Sequence, residues 1–148
     1  MGNVPMQSGA APQPLWYTIA ANLFGGLFMS TSVAFWMKPE QMVPAVLSSF
    51  DISGTELRVF ELAFAGNNVR NFVSGGMISY YASTKNTQML VPMLGMRLLI
   101  EAGDAIALYF LNPAFGEMIP MFILIMGSEL GLLYYGRKLG EGSEKKAD

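Results

Sequence analysis

Arg97, Glu101 and Asp104 follow one another at intervals of four and three residues, the spacing that sets them along one stripe of a helix. A second group, Asn67, Arg70, Asn71 and Ser74, falls within an arc of about 100° on a helix of about 3.6 residues per turn. Glu61 and Asn68 share another face of that segment, and Glu129 stands alone in the last apolar run. All of them interrupt stretches otherwise apolar enough to lie in a bilayer. An ionised side chain at the centre of such a helix costs about 2.5–3.5 kcal/mol on the insertion scale, so it is kept for its pairing or its chemistry. Two arginines, Arg70 and Arg97, face four acids, Glu61, Glu101, Asp104 and Glu129. Arginine stays protonated, so pairing neutralises two carboxylates. The others must reach water or hold a proton at neutral pH, and a carboxylic acid kept neutral in an apolar pocket is a general acid or a proton carrier.

Other chemistries drop out on composition. The chain has no Cys and no His, which excludes disulfides, zinc fingers, thiol catalysis, c-type haem attachment and imidazole ligation or base catalysis. No metal or cofactor is expected. Ser74 and Ser79 have no His or Lys beside them, so a serine nucleophile has no base. Gly75-Gly76 lacks the Lys and helix start of a phosphate loop. The formal charge of −2 leaves no basic surplus for nucleic acid.

The elements that must position the charged groups are transmembrane helices. Of 148 residues, 52% are apolar and 14% charged, against about 25% charged in an average soluble domain; mean hydropathy is +0.37. Spanning takes about 20 mainly apolar residues. Four stretches qualify, at about 15–37, 57–82, 89–111 and 118–135, which predicts an all-α, four-helix transmembrane bundle over residues 15–136. Lys38-Pro39-Glu40 stops the first, Ser83-Thr84-Lys85-Asn86 is a tight polar turn, and Asn112-Pro113 ends the third. Residues 41–50 are expected along the interface as a short helix. Residues 1–14, with three prolines, and the charged tail 137–148 are expected to be unstructured.

Lys85, Arg137, Lys138, Lys145 and Lys146 fall on one side of such a bundle, and Lys38 and Arg58 lie among acids on the other. By the positive-inside rule both termini are cytosolic. The final Lys145-Lys146-Ala147-Asp148 then matches a C-terminal di-lysine retrieval signal of endoplasmic reticulum membrane proteins, an address read on cytosolic tails. Counting about 1.5 Å per residue from the non-cytosolic end puts Arg70 and Arg97 at mid-membrane with Asn22 of the first segment. Glu101, Asp104 and Glu61 lie successively nearer that end, and Glu129 lies between the arginines and Glu101.

The chain resembles the DoxX-like group of small four-helix membrane proteins in three segments. These are the loop KPEQMVPAVLSSFDIS after the first helix, NVRNFVSGG in the second and MRLLIEAGDAIAL in the third. The resemblance covers about residues 15–136. It implies a four-helix bundle with an inward arginine and acid, here Arg70 and Asp104, and implies no agreed activity.

The inventory points to binding of a lipophilic small molecule and acid-assisted isomerisation, cyclisation or epoxide opening. Glu101, Asp104 or Glu129 would supply the proton, with Asp104 and Glu129 the acids least readily explained as scaffolding. Arg70 and Arg97 would stabilise developing charge, and Asn22, Asn67, Asn71, Glu61 and Tyr109 would line the binding site. Two other readings use the same residues. Charges that lock helices, through Arg70–Glu101 and Arg97–Glu129 pairs, would suit a non-catalytic accessory subunit of a larger membrane enzyme. Spare carboxylates would suit a small proton-coupled carrier.

Overall fold

Proline opens the first helix and an asparagine opens the third. The computed structural model describes residues 13–37, 55–111 and 119–144, with side chains described for 13–37, 65–106, 109–110 and 119–141. Within them lie four helices: α1 (Leu15–Met37), α2 (Thr55–Ser83), α3 (Thr87–Leu111) and α4 (Ile119–Glu144). The Pro14 carbonyl accepts from the amides of Tyr17 and Thr18 at 3.1 and 3.2 Å, which starts α1. Gln13 just before it is buried, and donates to Thr18 Oγ1 at 2.9 Å and to the Ala82 carbonyl at 3.4 Å, so it is ordered against the α2–α3 turn.

That turn is built from two caps. Lys85 adopts φ 56° and donates its amide to the Ala82 carbonyl, while the Asn86 amide reaches the Tyr81 carbonyl. This pair of bonds is a Schellman closure, with Lys85 at the position glycine usually takes. Asn86 then caps α3, its Oδ1 accepting from the Met89 amide at 3.2 Å. The three residues Thr84–Asn86 therefore reverse the chain, with both helix ends capped.

Each helix packs on its neighbour in sequence, giving an all-α four-helix bundle. α1 and α2 touch backbone to backbone. A Cβ built on Gly25 would stand 2.5 Å from the Gly75 carbonyl oxygen, and one on Gly75 would stand equally close to that of Gly25. Small residues permit this approach, as between helices in lipid generally. α1 meets α4 at one end: Tyr17 Oη donates to the Leu132 carbonyl at 2.9 Å, and the Trp16 and Tyr135 rings lie 4.5 Å apart. Gly136 makes room, since a Cβ there would collide with the Tyr17 hydroxyl and with Val91.

Large apolar side chains lie on the outside as well as in the core, and charged side chains are buried beside that core. Leu23, Leu99, Phe110 and Leu124 are among many large apolar side chains on the outside, while Arg97, Glu101, Glu129, Asn68 and Ser32 are buried. Two helices, Leu15–Met37 and the Ile119–Glu141 part of α4, are long and apolar enough to cross a membrane, and little of either is buried inside the bundle. α2 and α3, which carry the charged residues of the centre, do not meet that measure, so two of the four expected spans do.

Helix bounds follow the sequence reading closely except at the end. α4 continues to Glu144, through residues expected to be unstructured tail. Arg137 and Glu141 stand four residues apart, and opposite charges at that spacing support a helix after the apolar run has ended. The expected interfacial helix at 41–50, the N-terminal segment 1–12 and the Lys145-Lys146 motif lie outside the described residues.

Candidate functional site

The centre of the bundle is organised around one guanidinium. Arg97 projects from α3 and is 1% exposed. Its Nη1 donates to Asn71 Oδ1 at 2.5 Å and to Ser74 Oγ at 3.3 Å on α2. Its Nη2 donates to Glu101 one turn along α3, an i,i+4 ion pair. The flat face lies over the Phe28 ring of α1, 3.8 Å from its centroid, a cation–π contact that gains strength when desolvated. Nε stands 3.5 Å from Glu129 Oε1 of α4 without hydrogen-bond geometry. One side chain thus meets all four helices.

Glu129 is the unusual member. It is 0% exposed, and neither carboxyl oxygen has a hydrogen-bond partner among the described residues. The guanidinium it approaches is already committed to Glu101 on another edge. Two carboxylates therefore share one cation in a dry interior.

A second ion pair lies beside the first. Arg70 of α2 donates from both Nη1 and Nη2 to the two Asp104 oxygens of α3, and from Nη2 to Asn67 Oδ1. This fork-to-fork pairing fixes planar geometry as well as charge. The two side chains are 36% and 30% exposed, so this pair faces the edge of the cluster. Arg70 thus pairs with Asp104 and not with Glu101 as the scaffold reading expected. The difference lies in rotation of α2 against α3, which residue spacing within one helix does not specify. Asp104, expected as one of the acids least readily explained as scaffolding, thus has a cation partner in Arg70.

Glu101, Asp104, Glu129, Arg70, Arg97, Asn67 and Asn71 are thus brought together. Asn22 is not: its Nδ2 bonds the Thr18 carbonyl in its own helix and its Oδ1 accepts from Ser83 Oγ near the α2–α3 turn. The Arg97 guanidinium instead sits at the level of Phe28, six residues or about 9 Å further along α1. Counting residues from helix ends gives the level of a backbone position and not that of the tip of a long arginine side chain. Tyr109 is half exposed and stacks edge-on with its neighbour Phe110 at 6.1 Å. Five residues past Asp104, it has turned off the stripe that carries Arg97 and Asp104. The Glu61 side chain lies outside the described residues.

Phe28 escaped the sequence reading, because an aromatic residue in an apolar run carries no sign that a cation lies over it. Ser74 was legible as a neighbour of Arg70 on the wheel, yet it serves Arg97. Among the described residues no three acidic side chains converge as a metal site. Comparison of the chain with protein-family models, with curated proteins and with solved structures finds no match.

Proposed function

We propose that the chain is an integral membrane protein with four crossings and both termini cytosolic, which binds a lipophilic small molecule and rearranges it by acid assistance. The apolar exterior and charged interior support the membrane reading, because lipid and not water would then solvate the outer leucines and phenylalanines. The basic residues at the α2–α3 turn and the end of α4 support the orientation. The di-lysine end supports an endoplasmic reticulum address.

One observation carries the chemical reading: Glu129 is fully buried, has no donor on either oxygen among the described residues and shares Arg97 with Glu101. In such a set Glu129 is the group that holds the proton. A desolvated acid of this kind protonates an alkene, a carbonyl or an epoxide oxygen, as isomerisation, cyclisation or ring opening requires. Arg97, fixed in place beforehand by Asn71, Ser74 and Phe28, stabilises the carboxylate left behind. Glu101 is the neighbouring base that can take up a proton from the product. Arg70, Asp104 and Asn67 at the edge hold polar groups of the substrate.

The test replaces Glu129 with Gln, which keeps shape and removes the acid. Metabolite profiles of cells carrying E129Q in place of the wild-type chain should match those of a deletion, at unchanged membrane abundance. General acids contribute about 10²–10⁴-fold in rate, so residual product within tenfold of wild type overturns the acid role. A second reading is favoured by the contact of Arg97 with all four helices, which suits an accessory subunit whose core charges set helix register. On that reading E129Q works normally, and Arg97→Leu depletes a partner enzyme along with this chain.

A further inference from the structure

α1 and α4 diverge from their contact at Tyr17 and leave a groove of about 530 Å³ open to the outside. That volume lies within the range of about 300–1,000 Å³ typical of small-molecule sites. Its walls are apolar, formed by Leu23, Phe24 and Leu27 on α1 and by Gly127, Gly131 and Leu132 on α4. A Cβ added at either glycine would meet nothing within 4 Å, so the glycines hollow the α4 wall. About one helical turn from the lining residues Ala20 and Gly131, toward the α2–α3 turn, the Trp16 and Tyr135 rings stand 4.5 Å from each other across α1 and α4. One turn beyond stands Lys138, exposed and seven residues past Gly131, hence on the same face of α4. Its Nζ lies 4.7 Å from the Tyr134 ring centroid.

A long apolar channel, an aromatic pair and a lysine at the cytosolic interface are complementary to an amphiphile with a negative head. We propose that the α1–α4 groove is a binding site for an anionic phospholipid. One acyl chain lies along Leu23, Leu27, Gly127 and Gly131, the glycerol region abuts Trp16 and Tyr135, and the phosphate meets Lys138. The proposal rests on the membrane reading and is independent of the acid chemistry at Glu129.

The chain contains two tryptophans, and Trp36 sits at the far end of α1 against Phe72, so Trp36→Phe leaves Trp16 as the sole reporter at the groove. The purified full chain with that substitution is titrated, in zwitterionic micelles, with phosphatidylglycerol or phosphatidylcholine carrying brominated acyl chains. Trp16 emission should be half-quenched at about fivefold lower mole fraction of phosphatidylglycerol, the preference one lysine near an anionic head contributes. Lys138→Gln should bring the two lipids level. Gly131→Leu, which fills the groove from a position with space for it, should reduce quenching by both. Equal quenching of the starting protein by the two lipids, or quenching untouched by Gly131→Leu, overturns the proposal. So does a cross-linked dimer that Gly131→Leu dissociates, which would put a second copy in the groove. Loss of lipid preference with E129Q profiles as expected separates failure here from failure of the catalytic reading.

Discussion

Arg97 is held by shape as much as by charge. Its planar fork reaches Asn71, Ser74 and Glu101 while its face covers Phe28, and an ammonium reproduces none of that geometry. Arg97→Leu leaves Glu101 and Glu129 buried without a cation, and removing one partner of a buried pair costs about 3–5 kcal/mol. SDS-titration unfolding in mixed micelles should show a loss of that size, and Arg97→Lys should fall between Leu and wild type. Replacing Glu129 with Leu as well should recover part of the loss, because a buried carboxyl group with no hydrogen-bond partner among the described residues is then gone; a double variant no more stable than Arg97→Leu would contradict the contact between Arg97 and Glu129. At this scale the sequence was half legible. The Arg97–Glu101 pair follows from i,i+4 spacing within one helix. The Arg70–Asp104 pair, the Phe28 stacking and the absence of Asn22 depend on how helices and long side chains sit against one another, which no spacing within a helix encodes.

Between elements, two small features set the geometry. The α1–α2 crossing depends on Gly25 and Gly75, each of which faces the other's carbonyl with no space for a methyl group. Gly75→Val must push α1 away and carry Phe28 off Arg97. Overpacking of this kind costs about 1–3 kcal/mol, and micelle unfolding of the valine variant should report it. The α2–α3 turn offers the opposite case. Lys85 occupies the left-handed region at φ 56°, where glycine carries no Cβ penalty. Lys85→Gly should therefore stabilise by about 1 kcal/mol, whereas Asn86→Ala, which removes the cap of α3, should destabilise by about 1 kcal/mol. Both are readable by the same unfolding assay. Apolar runs and the polar breaks between them located all four helices, although only α1 and α4 are apolar and charge-poor enough to meet the measure of a membrane span. That reading stopped short on α4, which continues past the apolar run to Glu144.

For the molecule as a whole, the apolar exterior leads to a topological prediction. The chain contains no Cys, so a single introduced thiol is an unambiguous reporter. If both termini are cytosolic, as proposed, Lys85→Cys in sealed reticulum vesicles should react with an impermeant maleimide from outside, and Ser49→Cys only after the vesicles are opened. Labelling of both, or of neither, before opening would refute four crossings in this orientation. The bundle also prescribes an order for its own synthesis. On the proposed membrane reading, α3 would enter the bilayer with Arg97 and its counterion Glu101 one turn apart, so its charge would be compensated within the helix. Glu129 has no such companion on α4. It emerges from the ribosome only after Arg97 is in place, and a permuted gene that encoded α4 ahead of α3 would ask the translocon to release a lone acid into lipid.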